Sequence, residues 1–152
     1  MLRLVPWTEP TPSTAAKCRP DAAYLVTGGL GGVGLEVARW LVGRGARHLV
    51  LVGRTALPPR ADWGGPDEPH SRQVAGILDL ESRGARVESP ALDVADESRV
   101  AAFVEARRGE GLPEIRGVVH AAAVTDDHLL ASIARDSFTP APSSVGRAVL
   151  IA

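Results

Sequence analysis

Between residues 27 and 34 the chain reads Thr27-Gly28-Gly29-Leu30-Gly31-Gly32-Val33-Gly34, with Gly29, Gly31 and Gly34 at G-x-G-x-x-G spacing. Glycine permits a tight turn and lets backbone approach a bound group closely, and a helix starting there adds N–H donors and the positive end of its dipole. That combination suits a pyrophosphate. Twenty residues past Gly34 stands Gly53-Arg54-Thr55, where a site for an unmodified adenosine ribose would hold an Asp or Glu. Arg54 instead offers a cation with planar donors suited to a 2′-phosphate, which favours NADP(H) over NAD(H), and the missing acid disfavours a methyltransferase. The competing reading of Arg54 is a solvated arginine in an arginine-rich chain.

Two further segments could complete such a site. Asp93-Val94 can receive an adenine ring, with Asp93 accepting from its amino group; a loop-capping aspartate is the alternative. His120-Ala121-Ala122-Ala123 presents small side chains where backbone can pass close to a nicotinamide ribose, or where small residues merely pack a strand end. Asp126 and Asp127 follow in Thr125-Asp126-Asp127, a pair that also suits a helix cap.

These residues need a frame. Tyr24 to Thr27 and His48 to Val52 are apolar runs of the kind buried on both faces of a parallel sheet. Between them Val33, Val37, Trp40 and Leu41 recur at helical spacing, with Gly43 and Gly45 as a stop. A Pro- and Gly-rich loop from Thr55 to His70 leads to a second helix marked by Val74, Ile77 and Leu78 that ends near Gly84. Val87 to Leu92 predicts a third strand with an irregular end at Pro90. Asp96 can cap a third helix carrying Val100, Phe103 and Val104 on one face, and Ile115 to His120 predicts a fourth strand.

The alternation predicts an α/β fold: a doubly wound parallel sheet, partial, of about four strands in the order 3-2-1-4. Residues 1–22, with Pro6, Pro10, Pro12 and Pro20, read as a linker or tail, residues 23–135 as the binding domain, and residues 136–152 as a divergent tail. The fourth strand would then have an apolar edge without neighbours, which predicts a marginally stable chain.

With 152 residues, 45% of them hydrophobic and 23% charged, and a net charge of -1, the chain has the composition of a globular domain without the basic excess that attracts nucleic acid or anionic lipid. No apolar run approaches a membrane span or the core of a signal peptide, so a cytoplasmic location is expected. Cys18 is the only cysteine, and His48, His70, His120 and His128 have no metal-ligand spacing, so no metal is expected.

Taken in order, Tyr24 to Gly34, Ala46 to Arg54, Asp93-Val94-Ala95-Asp96 and Gly117 to Ala123 resemble the ketoreductase domains of modular polyketide synthases, a branch of the short-chain dehydrogenases with a Rossmann-like fold. The likeness runs from about Arg19 to about Leu130. It implies NADPH as hydride donor and, as substrate, a β-ketoacyl thioester held on an acyl carrier protein. It also implies cofactor contacts for Thr27, Gly28, Gly29, Leu30, Gly31, Gly32, Gly34, Arg54, Thr55, Asp93, Val94, Ala121, Ala122 and Ala123. Ala123 replaces a glycine common in the family. Thr125-Asp126-Asp127 resembles a Leu-Asp-Asp signature tied to product stereochemistry, with Thr in place of Leu.

Reducing a ketone also needs a proton donor at the developing alkoxide, and the family uses a tyrosine assisted by Ser, Lys and Asn. None of those positions can be matched. Tyr24, the only tyrosine, begins the first strand, Lys17, the only lysine, lies in the linker, and Ser143 stands where related domains carry their lysine. The expectation is therefore an NADPH-binding portion of a ketoreductase with no catalytic residues of its own, truncated and inactive unless a complementary polyketide synthase chain supplies them. The alternatives are a non-catalytic NADP(H)-binding or structural module, and a relic without function.

Overall fold

The computed structural model describes residues 17–63 and 70–122. Its core is a four-stranded, all-parallel sheet in the order β3-β2-β1-β4, formed by β1 (Ala23–Thr27), β2 (His48–Val52), β3 (Arg86–Glu88) and β4 (Ile115–His120). Helices α1 (Gly32–Gly43), α2 (Ser71–Ser82) and α3 (Glu97–Gly109) make the crossovers. The order is the one the alternation of elements predicts, because right-handed crossovers from β1 through β2 to β3 leave β4 the open side of β1. Register is continuous from Leu25↔Val50 to Thr27↔Val52 and from Leu25↔Val118 to Thr27↔His120, so β1, β2 and β4 finish level.

Three helices stop by one device. The N–H of Gly45 (φ 106°) reaches the carbonyl of Val42 at 3.0 Å while that of Ala46 reaches Leu41 at 3.0 Å, which satisfies the last carbonyls of α1. Gly84 and Gly111 end α2 and α3 in the same way. At the other end of α3, Asp96 accepts from the N–H of Arg99 at 3.1 Å and from the Ser98 hydroxyl at 2.7 Å, the predicted cap.

One face of the sheet carries the main core. Leu35, Leu41 and Val42 of α1 and Ile77 and Leu80 of α2 close over Val26, Leu49, Leu51 and Val87, all buried. Each fully buried Leu, Ile or Val contributes about 1.5–3 kcal/mol of transfer free energy. The two helices approach so closely that a Cβ on Gly76 would lie 2.7 Å from the Leu35 side chain, and Arg39 ties them further through Asp79 at 2.8 Å. Asp79 also accepts from Arg83 at 3.0 Å; the bond from Arg39, then that from Arg83, holds its carboxyl below the usual aspartate value.

The opposite face is thinner. Val50, Val52 and Leu92 are buried there, with Leu25, Val94, Val100 and Phe103 half-buried against them. The polar Arg107 anchors α3: 5% exposed, it pairs with Glu88, donates to the Pro113 carbonyl at 3.2 Å, and lies 5.8 Å from the Phe103 ring centroid. Beside it a crevice of about 630 Å³ runs between α3 and the β1–β4 pair, lined by Leu25, Val100, Phe103, Val104 and Val118 among others.

Several expectations need correction. The predicted third strand, Val87 to Leu92, is paired only over Arg86–Glu88, with a single bridge from Gly53 to Ala91 beyond it. Pro90 has no N–H to give the ladder, so pairing breaks around it. Val33, Trp40 and Leu78, read as core-facing markers of their helices, are 70%, 52% and 50% exposed. Leu35, Ala38 and Val42 in α1 and Leu80 in α2 take the buried positions, because tertiary packing selects a stripe rotated from the one read off the sequence. Nor is β1 buried on both faces throughout: Tyr24 and Leu25 are half-exposed.

Candidate functional site

The level ends of β1, β2 and β4 form a shelf, and the glycine turn sits on it. Thr27, 5% exposed, closes β1; its carbonyl accepts from the N–H of Ala121 at 3.0 Å, and its hydroxyl lies 2.6 Å from His120 Nδ1 and 3.4 Å from the N–H of Ala122. One threonine thus fastens the exit of β4 to the exit of β1. The turn is tied to β2 as well, since the N–H of Gly29 reaches the carbonyl of Val52 at 3.3 Å.

Three glycines in the turn are required: a Cβ on Gly29 would meet the Val26 carbonyl oxygen and the Leu51 Cβ at 2.8 Å, and Gly28 and Gly34 are confined for other reasons. Gly28 has φ 64°, and a Cβ there would meet the Ala122 N and Cα at 2.8 Å and the Ala121 carbonyl oxygen at 2.9 Å. Any side chain would collide with the small residues that end β4. Gly34, inside the first turn of α1, lies with its missing Cβ against the carbonyl of Gly28, so only glycine lets the helix start this close to the strand. The fingerprint spacing gives the tight turn to Gly29, whereas the left-handed residue is Gly28. Gly31 has room limited only by the Gly28 carbonyl oxygen at 3.2 Å, Gly32 faces open space, and Leu30 packs against the core.

Among the described residues, nothing caps the mouth of α1. Gly31, its first flanking residue, has no side chain to cap the N–H groups of the first turn, and no acid lies in that turn. Those N–H groups have no intrahelical partners, and the dipole favours negative charge there. A phosphate-bearing ligand fits: the turn lacks the side chains and the carboxylates that would exclude one.

Arg54 and Thr55 follow β2 directly and are exposed, and among the described residues Arg54 has no ion pair. Asp93 is half-buried beyond β3, with one carboxylate oxygen accepting from the N–H of Ala95 at 3.0 Å. That bond is the loop-capping role, and it fixes the carboxylate's orientation. Val94 packs toward Val50, Val52 and Leu92 and lines the crevice. Leu92 N–H bonds the Gly53 carbonyl at 2.8 Å, so the Arg54 and Asp93 segments are held side by side. The structure therefore brings Thr27 to Gly34, Arg54, Thr55, Asp93, Val94, Ala121 and Ala122 to one end of the sheet. Ala123, Asp126 and Asp127 lie outside the described residues, as does Ser143.

The sequence groups His120 only with its small neighbours, and its contact with Thr27 is missed there. A signal exists: Thr27 and His120 are each a polar residue closing an apolar run, and in level neighbouring strands such residues face each other. Tyr24 sits three residues before Thr27, about 10 Å down the strand, and its hydroxyl accepts from the N–H of Arg19 at 2.7 Å. Among the described residues no cluster of His, Cys, Asp or Glu could hold a metal ion, and no helix is long and apolar enough to cross a membrane.

Comparison with known proteins gives this shelf a context. Residues 22–144 match the KR domain family. The chain is 50% identical over 123 residues to a phenolphthiocerol/phthiocerol polyketide synthase subunit of Mycobacterium tuberculosis, a match covering 80% of this chain and 7% of that protein. It is 42% identical over 147 residues to the 6-methylsalicylic acid synthase of Aspergillus terreus, covering 93% of this chain and 8% of that one. Among solved structures, an N-terminal ketoreductase from the macrolactin assembly line superposes with a TM-score of 0.60 at 26% identity, over 82% of this chain and 23% of that one. The ketoreductase from the first module of phoslactomycin biosynthesis in Streptomyces sp. HK803 gives 0.55 at 31% identity, over 76% and 24%. The chain thus spans less than a tenth of the length of these two synthases.

Proposed function

The chain belongs to the KR domain family, the polyketide synthase ketoreductases of the short-chain dehydrogenase type, and on that premise we propose that it is the NADPH-binding portion of a β-ketoacyl reductase. The substrate would be a β-ketoacyl thioester on an acyl carrier protein. Bound NADPH would supply the hydride for the β-carbonyl. The observation that carries the reading is the uncapped mouth of α1, held against Ala121 and Ala122 by glycines that tolerate no side chain.

Each part of the site has a task under this reading. The first-turn N–H groups of α1 take the pyrophosphate, and Arg54, with Thr55 beside it, takes the 2′-phosphate. The Thr27–His120 contact holds the end of β4 where Ala121 and Ala122 leave space for a ribose. Asp93, its orientation set by the Ala95 N–H, offers its other oxygen to the adenine amino group.

Proton delivery is not among these tasks. Tyr24 lies well down β1 from the glycine turn with its hydroxyl engaged at Arg19. We therefore assign the Ser, Tyr and Lys of the reaction to a complementary polyketide synthase segment, and expect no ketone reduction by this chain alone. The test is titration of NADPH and NADH, with Arg54→Ala alongside. A charge-assisted contact is worth about 1.5–3 kcal/mol, so NADPH should bind about ten- to a hundredfold more tightly, and the variant should lose that preference. Equal affinities in the unaltered chain would remove the phosphate role of Arg54, and absence of binding would remove the proposal.

A further inference from the structure

The loop that leaves β2 is pinned to the body of the domain. Leu57 and Trp63, both half-buried, pack against the core that α1 and α2 close over. Between them Pro58 and Pro59 restrict the backbone, and a single 3₁₀ turn over Arg60–Asp62 follows, with the N–H of Asp62 on the Pro59 carbonyl at 2.9 Å. The Trp63 indole N–H donates back to the Pro58 carbonyl at 2.9 Å. Pro58 to Trp63 is thus a closed buckle.

Arg60 fastens the buckle to α2. Its guanidinium lies 4.7 Å from the Trp63 ring centroid and donates through two nitrogens to the two carboxylate oxygens of Glu81, at 3.0 and 2.5 Å. A single exposed ion pair holds little, but a bidentate fork with an aromatic ring against the guanidinium fixes direction as well as distance.

The near end of the loop is fixed too. Gly53 is held by its bridge to Ala91 and by the Leu92 N–H on its carbonyl at 2.8 Å. Between the two fixed points, Gly53 and Leu57, lie Arg54, Thr55 and Ala56, all exposed. A short span held at both ends has few backbone paths. Ordering one free backbone residue costs about tenfold in affinity, and here the fold has ordered the residue that bears the guanidinium before any ligand arrives.

We propose that the Leu57–Trp63 buckle, locked to α2 by the Arg60–Glu81 fork, is a positioning device that presents Arg54 to the 2′-phosphate and so sets the preference for NADPH over NADH. The inference rests on the cofactor reading above. Arg60, Trp63 and Glu81 touch no ligand in it; they act through Arg54.

The test has an arm with nucleotide and an arm without, both on the full chain. Trp63→Leu should weaken NADPH binding about tenfold and Glu81→Gln about threefold. NADH affinity, which does not use Arg54, should stay as it was and so report that each variant is folded. For Glu81→Gln the sign is decisive, because losing a carboxylate and releasing a guanidinium makes the neighbourhood more positive, and electrostatics alone would tighten NADPH. Without nucleotide, trypsin should cut after Arg54 at least about fivefold faster in both variants, since a span freed at one end fits a protease more readily. NADPH held as well or better by either variant, or unchanged cleavage, overturns the proposal. An unaltered chain that binds both nucleotides equally removes the phosphate role of Arg54 and this inference together. A preference that Arg54→Ala loses but both buckle variants keep overturns this inference alone.

Discussion

The two faces of the sheet are held by different means. Under α1 and α2, the strands are covered by Leu, Ile and Val side chains fully withdrawn from water. Under α3, the described residues supply buried Val50, Val52 and Leu92 and the buried Arg107, beside an apolar crevice of about 630 Å³. A dry, close-packed layer draws its strength from many small contacts, whereas a guanidinium clamp depends on a few bonds whose geometry must hold. Cohesion is therefore concentrated on one side of the strands among the described residues, and the shelf that carries the glycine turn rests on the ends of both.

Core truncation should expose that difference most strongly. Ile77→Ala removes a fully buried side chain from the strong face and should cost about 3–4 kcal/mol in urea unfolding, while half-buried Phe103→Ala on the weak face should cost less than about half of that. Equal losses would mean that the faces contribute alike. Next comes the shelf itself. Gly34→Ala drives a methyl group into the Gly28 carbonyl, for about 2 kcal/mol of stability and loss of NADPH binding, whereas Gly32→Ala faces open space and should shift stability by no more than about 0.5 kcal/mol. A smaller effect is expected of Asp96→Ala, which removes the cap of α3 and should cost about 1 kcal/mol, with faster amide exchange confined to the first turn of that helix.

Acid should produce the weakest change. Asp79, between α1 and α2, is held below the usual aspartate value of 3.8 by Arg39 and then Arg83, and Asp96 by the Ser98 hydroxyl and then the Arg99 N–H. Because the folded chain binds these protons less readily than the unfolded one, both carboxylates stabilise fully above pH 3.8, and the contribution disappears as pH falls through the lowered values. Asp79 is on the strong face and Asp96 on the weak one. Thermal scans between neutral pH and pH 3 should show a decline only at the acid end, with salt reducing the part due to Asp79.

Much of the fold was legible because its signals are local. The runs at β1, β2 and β4, the glycine stops and the Asp96 cap each depend on a few adjacent residues. What failed depends on distant partners. Whether Val33 or Leu35 turns inward is decided by α2 and by Gly76, and the truncation of β3 by how Pro90 meets its neighbour. In the site, the glycine turn and its Arg54 companion follow from spacing. The Thr27–His120 contact follows only once β1 and β4 are known to end level, and Asp93 shows its loop bond only when Ala95 is placed.

Thr27 and His120 stand 93 positions apart, while β1 meets β2 across only 25, from Ala23 to His48. Joining ends over a longer stretch sacrifices more chain entropy, and non-local pairings form slowly. The strand that walls in Gly28 is thus the one with the farthest to travel when the polypeptide collapses. Helical signal should recover early during refolding, and nucleotide capture should lag behind it, so that competence to bind becomes a clock for the final docking of β4.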